Sequence, residues 1–427
     1  MKLGDMKFSV ALIMVILILS PVGIADSYLQ KKWTLMFYMA TDNKMYEHAK
    51  QYLHDLTKVR NNNINMIALI DGYEDNDTCL YQISDRLKRI EWENESDTGD
   101  VKTLEKFCNF AISNYPAEHY ALLIISVGPG WQGICPDYRH GYINFPLISI
   151  PSLAKVLKNV SKIEVVSLVA CLQGMLENAY EISYYADYMV AMESDNAFLD
   201  IWPSIEALKN IKNGEDFARA MVRGYQPKIY HPVYNPIARF FDKLPFKKLN
   251  IVTINTSLFA INLSRIKPIV ESVDRLSKLM MNGSEWKKAR TQANEYGKWS
   301  PKYKIFYPIY DYLSLEIYAY DCNVDLYDFV SKLKNYTNNE DIKNECRSIM
   351  DEIKKAVIEE NKIDGDSSHG LSIYFPSEAR LYNQFILYGK IPYPYEELRF
   401  VNDTNWDEFL KTSLKNEAFK YSIIFLE

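Results

Sequence analysis

The stretch that most constrains the fold runs over residues 163–194, IEVVSLVACLQGMLENAYEISYYADYMVAMES. An apolar run at residues 165–170 ends on Cys171, a helical pattern follows from about Gln173 to Tyr185, and a second apolar run covers residues 188–192. This order predicts a strand, a thiol, a helix and another strand. Because ligands of open α/β sheets bind outside the carboxyl ends of the strands, Cys171 is the first candidate for a functional residue.

Strands and helices also alternate before this stretch. Apolar runs predict strands at residues 33–40, 64–70, 79–84 and 121–127, and amphipathic patterns predict helices at residues 45–59, 101–114 and 152–159. Short apolar strands separated by helices are typical of a parallel sheet that is covered on both faces. We therefore predict an α/β domain at residues 30–202.

The pattern changes after residue 202. Helical patterns cover residues 205–225, 258–281, 284–296 and 341–361, and a single clear strand is predicted at residues 370–375. A closing helix is predicted at residues 406–414. We predict that residues 203–427 form a largely helical C-terminal region that packs on the core.

The first residues are typical of an export signal. Lys2 and Lys7 precede an uncharged apolar run at residues 8–19, and small residues lead up to Ala25. This order predicts a signal peptide at residues 1–25 and a secreted or cell-surface protein. The alternative is a retained membrane anchor, although the run is shorter than the roughly 20 residues that a spanning helix needs. Membrane contact is therefore expected only through an uncleaved N-terminal segment.

Composition narrows the ligands and cofactors. The chain has 427 residues, with 49 Lys and Arg against 55 Asp and Glu, and no basic stretch interleaved with aromatic residues, so nucleic acid is not expected as a partner. Six cysteines without a CxxC pair predict neither a disulfide framework nor a structural zinc site. The acidic residues at 71–77 could supply oxygens to calcium, but a solvated hairpin turn is favoured because the ligand spacing of a known loop is missing. The sequence requires no metal or other cofactor.

Several segments in order resemble the clostripain family of cysteine peptidases, whose fold belongs with caspases, legumain and gingipains. They are WTLMFYMATDN at residues 33–43, YPAEHYALLIISVGPGW at 115–131, the stretch at 165–194, DLYDFV at 325–330, HGLSIYFP at 369–376 and WDEFL at 406–410. The resemblance implies a caspase-like three-layer α/β/α sandwich with a mostly parallel sheet. It also implies a peptide or protein ligand, and it is the only ground for expecting calcium as a cofactor.

The family uses a histidine in a pattern close to D-H-G-x-G-W and a cysteine in a pattern close to D-A-C-L. Cys171 falls on the nucleophile, and Gly128 and Gly130 fall on the glycines of the turn that helps to hold the oxyanion. Trp131 falls on the tryptophan and is predicted to contribute to substrate binding. Val127 occupies the histidine position.

A second departure concerns the acidic groups that help the family to recognise basic residues. Val169 occupies the acidic position two residues before the cysteine. Asp200, in the loop after the strand at residues 188–192, is the candidate for a remaining pocket acid, and a solvated loop residue is the alternative. The resemblance thus implies that both the acid/base partner and one specificity acid are missing.

Three hypotheses follow. The leading one is an exported clostripain-like homologue that is degenerate and binds a peptide or protein in the remnant cleft. The second is an active cysteine endopeptidase that uses Cys171 with His140, from the loop after the glycines, as the substitute acid/base. The third is a non-catalytic structural envelope protein whose cleft is closed by the C-terminal half.

Overall fold

The computed structural model describes residues 30–43, 45–139, 145–160, 162–194, 211–225, 257–296, 323–363, 365–377, 382 and 394–414. The predicted signal peptide, His140 and Asp200 lie outside these residues. Within the described ranges, no helix combines the length and the apolar character needed to cross a membrane. The division of the chain at residue 202 stays a prediction.

The described residues form twelve strands in two sheets. They are β1 (Lys31–Ala40), β2 (Ile64–Asp71), β3 (Cys79–Ile83), β4 (Leu87–Ile90), β5 (Ala117–Ile125), β6 (Ile163–Val169), β7 (Tyr188–Ala191), β8 (Leu258–Asn262), β9 (Glu295–Tyr296), β10 (Asn323–Asp325), β11 (Val357–Asn361) and β12 (Ser372–Tyr374). The main sheet has nine strands in the order β11, β8, β7, β6, β5, β1, β2, β3, β4, and a small sheet has the order β12, β10, β9.

The centre of the main sheet is parallel, as predicted. Neighbours among β2, β1, β5, β6 and β7 pair in parallel, while β3, β4, β8 and β11 pair antiparallel at the two sides. The central strands are apolar throughout because both faces are covered. Along β1, Met36 and Tyr38 enter one buried cluster and Leu35 and Phe37 enter the other, which is the alternation expected of a strand.

Helices cover both faces. The α-helices are α1 (Tyr46–Leu56), α2 (Val101–Asn114), α3 (Ile150–Val160), α4 (Leu176–Ile182), α5 (Gly214–Arg223), α6 (Ile266–Met280), α7 (Glu285–Gln292), α8 (Leu326–Tyr336), α9 (Glu340–Ala356), α10 (Arg399–Asn402) and α11 (Trp406–Leu414). Buried residues of α1 and α5 pack on one face, and those of α2, α3, α4, α6 and α9 belong to the cluster on the other. The predicted three-layer α/β/α sandwich is therefore confirmed.

Two strands of the main sheet were predicted to be helical. β8 and β11 form where helical patterns were predicted at residues 258–281 and 341–361, and only the remainder of each pattern is α6 or α9. β8 pairs with the free edge of β7, and β11 pairs with β8. Periodicity does not separate a short apolar strand from the end of a helix, so pairing with the sheet edge decided the structure of these five-residue segments.

Candidate functional site

Val127 and Cys171 follow neighbouring parallel strands. Ile125 at the end of β5 pairs with Val169 at the end of β6, and the Ser126 N–H donates to the Val169 carbonyl over 3.1 Å. Val127 and Cys171 therefore each stand two residues beyond the same paired position. Because adjacent strands lie about 4.8 Å apart, this register brings both residues to one region of the carboxyl edge of the sheet.

The chain turns sharply directly after the thiol. Leu172 has φ +59°, in the left-handed region that residues other than glycine seldom adopt. Its N–H donates to the Ser194 carbonyl over 3.1 Å, and the Gly174 N–H donates to the Met192 carbonyl over 2.6 Å. These bonds attach residues 170–175, the thiol loop, to the chain that leaves β7. They hold the unusual backbone conformation in place.

The helix after the thiol begins later than predicted. The sequence pattern places its start near Gln173, whereas α4 starts at Leu176 after Met175. The favourable field of a helix N-terminus falls off within one turn. Cys171, five residues before the first helical residue, is therefore outside its effective range.

Gln173 joins the thiol loop to the turn after β5. Its buried Nε2 group is shared by the carbonyls of Gly130 at 3.3 Å, Gly133 at 3.1 Å and Cys171 at 3.3 Å. The Asn178 Nδ2 group donates to Gln173 Oε1 over 3.0 Å. Gln173 was not among the predicted site residues, although its position immediately after Cys171–Leu172 was a signal that it contacts the site.

The two predicted glycines allow this close approach. A Cβ on Gly128 would stand 2.6 Å from Gln173 Nε2 and 2.9 Å from the Gly133 carbonyl oxygen. Gly130 has φ +72°, a conformation that glycine adopts without a steric penalty. Residues 128–133, the glycine turn, can therefore lie directly against the thiol loop.

Trp131 is an internal anchor of the glycine turn. Its side chain is fully buried, with ring centroids 5.3 Å from Tyr374 and 5.0 Å from Tyr395. Both partners come from the last part of the described chain. The ring therefore fixes the turn to the C-terminal region, and direct contact with a substrate would require it to leave this cluster.

Two of the described histidines, His119 and His369, have contacts away from the thiol. His119 lies at the start of β5, where Nδ1 is 2.5 Å from Glu164 Oε1 and the ring stacks on Trp33. The His369 ring stacks on Tyr327, with centroids 4.2 Å apart, and its Nδ1 is 2.9 Å from Asp325 Oδ2. Both side chains are engaged with structural partners.

The buried carboxylates of Glu193 and Asp325 hold the backbone at His369 and Gly370. Glu193 Oε2 accepts the N–H groups of His369 and Gly370 at 3.0 and 2.7 Å, and Asp325 Oδ2 accepts the same His369 N–H at 2.8 Å. Burial raises the pKa of the Glu193 carboxyl well above its usual range, and the nearby Asp325 carboxylate adds to the effect. These contacts were not predicted, because they join segments that are distant along the chain.

Tyr296 of β9 lies against the thiol loop. Its side chain packs on Cys171 and Leu172, and only 5% of Cys171 is exposed. Burial raises the pKa of the Tyr296 phenol, and the Glu193 and Asp325 carboxylates raise it further. The structure thus places an aromatic ring from the C-terminal region beside the sulfur.

The acidic turn at residues 72–78 connects the antiparallel strands β2 and β3. Asp77 Oδ1 accepts the Gly72 N–H over 2.9 Å, and the buried Asp71 carboxylate accepts the hydroxyls of Thr78 and Thr98. Burial raises the pKa of Asp71 to about 8. Across the part of the chain that the structure describes, no group of three or more His, Cys, Asp or Glu side chains is arranged to hold a metal ion.

The comparisons with known proteins concern the family and the fold of the chain. The model of the clostripain family matches residues 37–413. Clostripain of Hathewaya histolytica is 25% identical in an alignment that covers 38% of this chain and 39% of the length of that relative. The alignment with this relative therefore spans well under half of its length.

Two solved structures have a similar fold. A secreted C11 cysteine protease from Bacteroides thetaiotaomicron, in complex with an irreversible peptide inhibitor, has a TM-score of 0.60 and 17% identity over 88% of this chain and 100% of that chain. An inactive zymogen C11 protease from Parabacteroides distasonis has a TM-score of 0.59 and 16% identity over 88% of this chain and 98% of that chain. These identities support a shared fold alone, whereas the family match covers most of the sequence. The chain belongs to the clostripain family of cysteine peptidases.

Proposed function

We propose that this protein is an exported clostripain homologue that keeps the nucleophile Cys171, has lost the histidine of the catalytic dyad, and binds a peptide or protein in the remnant cleft. The observation that carries the proposal is the residue next to the thiol-bearing strand. Val127 follows β5 at the register position equivalent to Cys171 after β6. An isopropyl side chain there neither accepts the thiol proton nor donates one to a leaving amine.

The missing proton transfer has a large effect on peptide cleavage. Attack by a cysteine requires thiolate, and expulsion of an amine requires a proton on nitrogen. General acid–base catalysis typically contributes about 100- to 10,000-fold to such a reaction. We therefore expect amide hydrolysis by Cys171 alone to be slower, by a factor in this range, than hydrolysis by a cysteine with an acid/base partner.

The surroundings of the thiol also disfavour hydrolysis. Cys171 is almost completely buried, with Tyr296 packed against it, and Val169 is 2% exposed and carries no charge. A buried cysteine in apolar surroundings behaves as a small hydrophobic residue. A ligand would first meet the surfaces around the thiol loop rather than the sulfur itself.

The ligand class and location rest on the family. The similar protease from Bacteroides thetaiotaomicron is described as secreted and is bound to a peptide inhibitor. These descriptions support a peptide or protein ligand and support the export that the N-terminal sequence predicts. We propose the same ligand class and location for this chain.

The test compares turnover with binding. Purified protein is incubated with fluorogenic peptides that carry Arg or Lys before the scissile bond, alongside Cys171→Ala and His140→Ala. We expect the same background turnover in all three proteins, and measurable binding of labelled peptides by the wild type in fluorescence polarisation.

Each alternative has its own outcome. Turnover that disappears in both Cys171→Ala and His140→Ala would establish an active peptidase that uses His140 and would refute the proposal. Absence of both turnover and peptide binding would instead favour the structural envelope protein.

A further inference from the structure

Asn323 is an unusual polar residue near the thiol loop. It is 1% exposed, and neither its Nδ2 nor its Oδ1 has a hydrogen-bond partner among the described contacts. Its backbone is fixed on both sides, because β10 pairs with β9 and β12 through Asn323–Tyr296 and Asn323–Tyr374. The carboxamide is therefore held in place without being satisfied.

The carboxamide points toward the glycine turn. Asn323 Nδ2 is 3.3 Å from the position that a Cβ on Gly130 would occupy, and the Leu172 carbonyl oxygen is at the same distance from that position. The absence of a side chain on Gly130 allows the Asn323 carboxamide to lie this close to the glycine turn. Asn323 thus faces the glycine turn and the thiol loop together.

The amino groups of two neighbouring buried amides do have partners. Gln173 Nε2 is shared among three carbonyls, and Asn178 Nδ2 donates to Gln173. The Ser194 hydroxyl, on the residue whose carbonyl holds Leu172, is a second buried polar group without a hydrogen bond. Buried polar groups in proteins are almost always paired, so the Asn323 carboxamide and the Ser194 hydroxyl are groups to which a ligand could offer a partner.

We propose that Asn323 is a ligand-binding residue of the cleft, and that its carboxamide recognises one peptide unit of an extended peptide. Nδ2 donates to a backbone carbonyl of the ligand, and Oδ1 accepts a backbone N–H. A carboxamide presents one donor group and one acceptor, as a peptide unit does, so the pairing is complementary. This inference rests on the proposed peptide-binding function.

Binding requires one local movement. Tyr296 is paired with Asn323 between β9 and β10, and the same residue packs on Cys171 and Leu172. When a ligand displaces the Tyr296 ring, the Asn323 carboxamide and the thiol loop both become accessible to that ligand. The peptide then lies between the glycine turn and β10.

The first experiment measures stability without ligand. Asn323→Leu replaces an unpaired buried amide by an apolar side chain of similar size, so the melting temperature is expected to stay unchanged or rise. Asn65→Leu is the matched control, because Asn65 is also buried but its Nδ2 donates to Thr34 Oγ1 over 3.1 Å. Its melting temperature is expected to fall. An equal fall in Asn323→Leu would overturn the proposal, because the amide would then be satisfied inside the protein.

The second experiment measures binding. Fluorescein-labelled octapeptides centred on Lys or Arg are titrated with the full chain, and the tightest wild-type binder is carried forward. Asn323→Leu and Asn323→Ala are expected to weaken its binding about tenfold, the order expected for loss of hydrogen bonds to a buried group. Analogues with one N-methylated backbone nitrogen each are then compared. One analogue should bind the wild type about tenfold more weakly than the unmodified peptide does. The same analogue should bind Asn323→Leu almost as tightly as the unmodified peptide does.

The outcomes separate the two proposals. A wild type that binds none of the peptides overturns the proposed function and this inference with it. A wild type that binds, with both Asn323 variants equally tight, overturns only the role of Asn323. If Asn323→Leu fails to fold, binding by Asn323→Ala and binding of the N-methylated analogues by the wild type test the role of Asn323. If N-methylation weakens binding at none of the backbone nitrogens, the result counts against the inference.

Discussion

Val127 and Cys171 occupy equivalent positions after the neighbouring parallel strands β5 and β6. Ile125 of β5 pairs with Val169 of β6, and Val127 and Cys171 each come two residues after these paired residues. The register places both positions at the same carboxyl edge of the sheet, whatever side chains they carry. A proton-transferring residue at position 127 would therefore be close to the thiol. This relationship leads to the first prediction.

Val127→His is expected to increase peptidase activity. Val127 is only half-buried, so an imidazole can be accommodated, and general acid–base catalysis would raise turnover about 100-fold or more. Initial rates on fluorogenic Lys and Arg peptides measure the effect. Val127→Gln is the control of similar size without proton transfer and should remain at background. If the gain survives in the Val127→His/Cys171→Ala double variant, the thiol is not the nucleophile.

Tyr296→Ala is expected to expose the Cys171 thiol. Removing the ring that packs on Cys171 should raise the rate of its alkylation by iodoacetamide, by roughly tenfold if access limits the reaction. Peptide mass mapping over time gives the rate at each cysteine. Cys108 and Cys346 are internal references, because burial raises the pKa of each thiol to about 12. Tyr296→Phe keeps the ring and should react as the wild type does; equal rates in all three proteins would show that Tyr296 does not cover the thiol.

Gly130→Ala is expected to destabilise the protein more than Gly365→Ala does. Both glycines have positive φ, +72° and +85°, so both variants incur a conformational cost of about 1 kcal/mol. A Cβ at Gly130 would also stand 2.8 Å from Met175 Sδ, whereas nothing lies within 4 Å of one at Gly365. Because of this overpacking, we expect Gly130→Ala to lose an additional amount of about 1–3 kcal/mol of unfolding free energy. Urea unfolding of the two variants measures the difference, and equal losses would show that the glycine turn is not tightly packed.

Glu177→Gln is expected to alter the pH dependence of stability. Glu177 Oε1 accepts the Tyr374 N–H and the Tyr395 hydroxyl at 2.8 and 2.7 Å, and Oε2 has no hydrogen-bond partner. Burial raises the pKa of this carboxyl from 4.5 to about 7. The folded state then binds more protons than the unfolded state between these values, so the stability due to this proton is present at low pH and lost as pH rises through about 7.

The neutral amide removes this dependence. Relative to wild type, Glu177→Gln should gain about 2–3 kcal/mol in the free energy of unfolding between pH 4.5 and pH 8. Urea unfolding at several pH values measures it. Glu118→Gln, on an exposed position of β5, serves as the control and should follow the wild-type curve. If the stability of Glu177→Gln changes with pH in the same way as that of the wild type, the raised pKa of Glu177 is contradicted.

The central sheet was predictable because its signals are local. The apolar runs that became β1, β2, β5 and β6 are short and continuous, as expected for strands covered on both faces. Cys171 could be placed at the end of a strand for the same reason. The proposal that Val127 occupies the histidine position also comes from the sequence, since the surrounding glycines and Trp131 keep the spacing of the family pattern.

Other features depended on partners that local patterns do not report. The segment of β8 is apolar and adjoins a helical pattern, and it is a strand because β7 offers a free edge. The contribution of Trp131 to substrate binding stays a prediction, whereas its burial against Tyr374 and Tyr395 follows from the packing of the C-terminal region. Leu172 adopts a backbone conformation that its residue type disfavours, which only the hydrogen bonds of the thiol loop explain.

The sequence by itself determined the alternation of strands and helices, the place of Cys171 at a strand end and the family, because each depends on residue types at short, regular spacings. Only the tertiary structure decided what surrounds the thiol. Tyr296 and Asn323 reach the thiol loop and the glycine turn through the pairing of β9 and β10, strands that lie far from Cys171 along the chain. Such contacts depend on how distant segments pack, and this information is absent from any local stretch of sequence.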